Sequence, residues 1–215
     1  MCFSATASFA TAAVTGSVGA LTLGRVGKWS EAPLAAIPLI FGVQQAVEGL
    51  LWVSLGDPSL GANTKLLANT FAVFALVLWP LWSPLAAGLV EPVRRTRFLM
   101  AGLFLAAIPL AAYGAMNLAA NPYGACVSGH SLLYTNGHPY TIAALVAYGL
   151  CTCLPPLLSS HRALRWFGLL VLTGLAVSTV FFAVASFSVW CFFAAAGSVA
   201  VYAYFAWSPK VAPAI

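Results

Sequence analysis

The chain has 215 residues, 62% of them hydrophobic and only 6% charged. Soluble domains carry about 25% charged residues, so a soluble globular fold is excluded and lipid is the expected solvent. The net charge of +5 does not point to nucleic acid, because the basic residues are sparse and sit in short loops, where they act as a topology signal.

A helix needs about 20 apolar residues to cross the hydrocarbon core. Seven segments fit, at 4–24, 32–55, 65–90, 98–120, 139–158, 165–184 and 187–207. The expected fold is an all-α, single-domain bundle of seven transmembrane helices. Strands in lipid would need alternating residues and a closed barrel, and these runs do not alternate.

The first segment opens "MCFSATASF". It lacks a basic n-region and a cleavage site after the apolar run, so a retained helix is expected rather than a secretory signal. Cys2 precedes the apolar run, unlike a lipoprotein cysteine, and myristoylation needs Gly at that place. The small-residue run "FATAAVTGSVGA" allows close packing against another helix or a second subunit.

The second segment carries "FGVQQAVEGLLW". Gln44, Gln45 and Glu48 share one helical face at spacings of three and four. Glu48 is the only acidic residue well inside a segment, and an intramembrane acid is by default a functional-site hypothesis. It suits a metal ligand, a proton acceptor or a substrate anchor. The plainer reading is a carboxyl hydrogen-bonded to Gln44 or Asn69 that fixes packing.

In the third segment, "WPLWSP" reads as a proline-kinked end anchored at the membrane interface. Asn69 and Asn117 fall near one mouth of the bundle. The loop "NPYGACVSGHSLLYTNGHPY" has no charge but holds Cys126, His130 and His138, with glycines for turns. Its Tyr123, Leu132, Leu133, Tyr134 and Tyr140 suit packing onto that mouth. Cys151 and Cys153, two apart in the fifth segment, suit small core residues better than a redox pair. From Trp166 to Trp207 nothing is charged, too long a run for one crossing, so it is divided at "VASFSV". Ser188, Trp190 and Cys191 open the seventh segment.

Arg25, Lys28, Arg94, Arg95, Arg97, Arg162, Arg165 and Lys210 lie on one side, and only Lys65 on the other. The positive-inside rule places the N-terminus outside and the C-terminus in the cytoplasm, in a bacterial cytoplasmic (inner) membrane.

With that topology Cys2, Glu48, Cys126, His130, His138 and Cys191 all fall in the outer third. Thiolates and imidazoles suit a Zn or Cu ion. Glu48 would then act as base on a metal-activated water, and Cys2 as a nucleophile assisted by the terminal amine if Met1 is removed. Gln44, Gln45, Asn117 and Trp190 would support them. The competing use of the cysteines is a disulfide, Cys126–Cys191, Cys2–Cys126 or Cys2–Cys191, since the outer face is oxidising.

"MCFSATASF", "FGVQQAVEGLLW" and "SVWCFFAAAGS" resemble a family of bacterial integral membrane proteins that begin Met-Cys-Phe-Ser-Ala. The resemblance covers most of the chain and implies a family without an assigned activity. A retinal protein would need an interior lysine in the last helix, and the intramembrane zinc hydrolases related to alkaline ceramidase need histidines within helices. Neither occurs.

Three function classes remain: an enzyme or metal-binding protein with its site in the outer mouth, a small-molecule or proton-coupled transporter, and a sensor or structural subunit of a membrane complex. The one-sided clustering favours the first. The expected partners are the bilayer and, through small-residue faces, a second copy or a membrane protein.

Overall fold

A computed structural model describes residues 4–135, 141–181 and 185–207. Among the described residues the chain forms seven helices: α1 (Ala5–Leu23), α2 (Trp29–Gly56), α3 (Thr64–Val90), α4 (Arg94–Ala120), α5 (Ile142–Leu158), α6 (Arg162–Phe181) and α7 (Ser186–Trp207). Six are long and apolar enough to cross a membrane, and α5 is a shorter apolar helix. All seven lie within a few residues of the expected segments. The expected break in the long uncharged run is present at Ala185, whose non-helical backbone caps the start of α7 at Ser186.

Large apolar side chains such as Leu66, Leu105, Met116, Val180 and Phe181 point outward. Water would not tolerate so broad an apolar girdle, whereas lipid does.

Helix α1 starts on Ser4, whose hydroxyl accepts the Ala7 N–H at 3.2 Å, an N-cap. It runs antiparallel to α2, with the two backbones nearly touching. A Cβ on Gly19 would sit 2.4 Å from the Leu39 nitrogen, and one on Gly42 would sit 2.8 Å from the Gly16 nitrogen. One face of the small-residue run of α1, at Gly16 and Gly19, is therefore packed against α2, while Ala10, Ala13 and Ser17 face outward. The glycine of the α7 run behaves alike, since a Cβ on Gly197 would meet Leu170 at 3.2 Å.

Helix α3 departs from expectation. Residues Phe74–Leu78 form a π turn ahead of Pro80. In that register the missing Pro80 N–H leaves the Ala75 carbonyl without its backbone donor, and Tyr148 of α5 supplies one at 2.6 Å. Likewise Ser83 donates to the Thr152 carbonyl at 2.7 Å, which Pro156 cannot serve. Side chains of neighbouring helices thus answer the carbonyls that proline frees, as an apolar solvent demands. The "WPLWSP" segment is not an interface-anchored end: Trp79 is buried in mid-helix, and Trp82 donates to the Pro33 carbonyl at 2.9 Å.

The loop after α4 folds into a hairpin, β1 (Gly124–Ser128) and β2 (Ser131–Thr135). Gly129 takes φ +60° at the first central position of the two-residue turn, where a twist-matched turn calls for glycine. Directly paired residues share a sheet face. Leu132, fully buried, and Tyr134 therefore face the bundle, while Cys126, paired with Leu133, lies on the opposite face.

At the other end, the loops that carry the basic residues meet. Glu91, 1% exposed, accepts hydrogen bonds from the Ser160 hydroxyl, the Ser160 N–H at 2.9 Å, and the Ser159 hydroxyl and Val93 N–H at 3.2 Å. His161 Nε2 lies 2.9 Å from the Val90 carbonyl, and Arg25 sits over the Tyr202 ring of α7.

Two apolar cores stack along the bundle. One contains Phe41, Trp79, Phe167 and Trp190. The other contains Leu51, Phe71, Leu132 and Cys191, under the hairpin. Along α2 the polar residues Gln44, Gln45 and Glu48 fall between Phe41 and Leu51.

Candidate functional site

Gln44, Gln45, Glu48 and Ser188 are fully buried. Three elements converge on the Glu48 carboxyl. The Ser188 hydroxyl, from the first turn of α7, donates to Oε1 at 2.6 Å. The Tyr134 hydroxyl, from β2, donates to the same oxygen at a long 3.4 Å. Gln45 Nε2, one turn back on α2, donates to Oε2 at 3.2 Å. The amide dipoles at the start of α7 add a favourable field for a carboxyl oxygen.

Gln44 points its amide oxygen at Trp79, whose Nε1 donates at 2.7 Å. An indole N–H needs an acceptor, so that bond fixes which end of the amide is oxygen. Among the described residues, Gln44 Nε2 and Gln45 Oε1 are then left buried without a conventional hydrogen-bond partner. One donor and one acceptor stand unused beside a buried carboxyl, and each such group costs about 1–3 kcal/mol. The Cys191 thiol lies within electrostatic reach of Glu48 and next to the Gln44 side chain, whose amide it can serve only as a weak hydrogen-bond partner.

The hairpin roofs the site through aromatic rings. Tyr134 stacks on Phe71 with centroids 4.9 Å apart and meets Phe187 edge-on at 5.4 Å. Asn69 holds the entry to β1, accepting the Tyr123 N–H at 3.0 Å and donating to its carbonyl at 3.1 Å. Beneath the polar layer, Phe41, Trp79, Tyr148, Trp190 and Cys191 line a cavity of about 40 Å³, room for a few waters.

Two of the six residues expected to form a metal or catalytic cluster share this site, Glu48 and Cys191. Cys126 is a free, exposed thiol on the outer face of the hairpin, and Cys191 is a free, buried one, so the Cys126–Cys191 disulfide is not formed. The pleat explains it: Cys126 lies on the face turned from the bundle. His130 is exposed at the hairpin turn. Among the described residues no three His, Cys, Asp or Glu side chains come together. Cys2 and His138, together with Tyr140 and Lys210, lie outside the described residues. A metal on Glu48 and Cys191 would need a further ligand from that set.

Of the expected supporting groups, Gln44 and Gln45 are in the site. Trp190 is nearby, its Nε1 donating to the Val171 carbonyl at 2.9 Å. Asn117 instead accepts from Asn121 at 3.1 Å on its own helix. Sequence reasoning placed Ser188 and Tyr134 near the mouth without seeing them as partners of Glu48, and it missed Trp79 as the partner of Gln44. The signal in reach was the lone membrane acid, which needs donors from other elements.

The profile of a family described as "Family of unknown function (DUF6629)" matches residues 1–214. No curated protein and no solved structure matches the chain.

Proposed function

We propose that this chain, which belongs to the family of unknown function DUF6629, is a multi-pass membrane protein that binds a small molecule at a polar intramembrane site built on Glu48. All seven helices cross, α5 included, with the hairpin and N-terminus outside and the basic loops in the cytoplasm of a bacterial inner membrane. Exposed Trp29, Trp166 and Trp207 mark the basic end as a membrane–water interface, and the Lys/Arg bias of the loops supplies the orientation.

The observation that carries the binding reading is the unused hydrogen-bonding capacity beside Glu48. A carboxyl kept only for packing would have its neighbours satisfied. Among the described residues Gln44 Nε2 and Gln45 Oε1 lack a nitrogen or oxygen partner, and a ligand offering one acceptor and one donor completes them. Tyr134 and the hairpin form the movable cover, since a two-stranded ribbon has little stability of its own.

Native mass spectrometry of protein extracted in maltoside detergent tests the reading. Wild type should retain a bound small molecule that Glu48→Gln loses. Identical spectra for the two proteins would contradict it.

A further inference from the structure

A second cavity of about 460 Å³ lies beside the polar site, within the range of small-molecule pockets. Leu145 and Gly149 of α5 form one wall and Leu175 and Thr179 of α6 the other. The two helices are closest at their cytoplasmic ends, where a Cβ on Gly168 would lie 2.7 Å from the Leu157 nitrogen. Nearer the hairpin they part enough to hold the cavity. Leu145 is 57% exposed at its rim, on the face turned to lipid.

Five of the lining side chains are aromatic: Tyr123, Tyr134, Tyr148, Phe187 and Trp190. None is basic. Tyr134 is shared with the Glu48 site, and Tyr148 and Trp190 also line the small inner cavity. Aromatic faces carry partial negative charge and attract cations, most strongly where water is excluded. Behind this cage stands Glu48, whose carboxyl meets the wall through Tyr134. The positive start of α7 is already turned on Glu48 through Ser188.

We propose that this cavity is the entry and seat for a lipophilic amine: an apolar body lying between α5 and α6, and a protonated or quaternary nitrogen in the aromatic cage facing Glu48. The inference rests on the Glu48 binding reading and adds the ligand's chemical class and its lateral route from the bilayer. Anionic amphiphiles are excluded by charge, and neutral ones gain nothing from the cage.

Equilibrium dialysis of the full chain in maltoside micelles tests it with three probes of equal chain length: hexyltrimethylammonium, hexyl sulfate and hexanol. The ammonium should bind saturably, with the other two about tenfold weaker or more, the scale of a desolvated cation–π contact. Glu48→Gln and Tyr134→Phe should each weaken it several-fold. Leu145→Trp, a change at an exposed rim position that leaves the core alone, should block it while the protein stays folded. Equal uptake of the three probes, or ammonium binding that survives Leu145→Trp, overturns the proposal. A bound molecule that depends on Glu48 in the mass spectra, together with no ammonium selectivity, would leave the Glu48 site standing and remove only the amine.

Discussion

Ser188 donates a 2.6 Å hydrogen bond to Glu48 from 140 positions away in sequence. That contact ties the first turn of α7 to α2 and sets the polar layer between the two apolar cores. Removing its hydroxyl takes away the shortest described hydrogen bond to the buried carboxyl. Ser188→Ala should lower unfolding free energy by about 1–3 kcal/mol, read as a fall in thermal midpoint in maltoside. An unchanged midpoint would mean that the carboxyl is satisfied elsewhere.

The α1–α2 contact makes a paired prediction. A methyl on Gly19 collides with the Leu39 backbone, whereas one on Gly16 meets nothing within 4 Å. Gly19→Ala should cost about 1–3 kcal/mol through overpacking. Gly16→Ala should be neutral or slightly stabilising, because it lowers the entropy of the unfolded helix. Equal effects from both would contradict the close approach.

Glu91 governs the acid limb of stability. Burial pulls its carboxyl pKa up, but hydrogen bonds from Ser160, Val93 and Ser159 outweigh that and hold it below the ordinary 4.5. A depressed carboxyl pKa contributes stability above the ordinary value and loses it as pH falls through the native one. The thermal midpoint should be flat above about pH 5 and decline below about pH 4.5, and Glu91→Gln should flatten that decline. A wild-type midpoint unaffected by acid would rule out the clamp.

Cys126 reports orientation. It is a free, exposed thiol on the hairpin, and Cys191 is free and buried. A membrane-impermeant maleimide added to intact cells should label Cys126 and spare Cys191. Labelling of Cys126 only after the cells are broken would invert the proposed topology.

The helices were legible because apolar runs of crossing length and charged loops are one-dimensional signals. Even the break near Ser186 could be read, its need from length and its place from Ser186 and Ser188. The site was half legible. Gln44, Gln45 and Glu48 share a face by spacing, so their grouping could be read from α2. Their partners could not, because Ser188, Tyr134 and Trp79 arrive from elements whose register depends on packing. The hairpin shows the limit best. Cys126 and Tyr134 lie in one loop, yet strand alternation sends one away from the bundle and the other onto Glu48. A cluster inferred from membrane depth ignored that alternation. The Glu91 clamp escaped notice because a carboxylate at a helix end looks solvated until its loop partners are placed.

The central claim is that Glu48 belongs to a site that opens to the bilayer rather than to a sealed packing contact. A lipid-soluble carbodiimide, which adds to carboxyls reached through the apolar phase, tests this directly by peptide mass mapping. The account predicts an adduct on the peptide containing Glu48, formed faster in Tyr134→Ala, where the cover is weakened. Labelling confined to Glu31, Asp57 or Glu91, with Glu48 unmodified in both proteins, would contradict it.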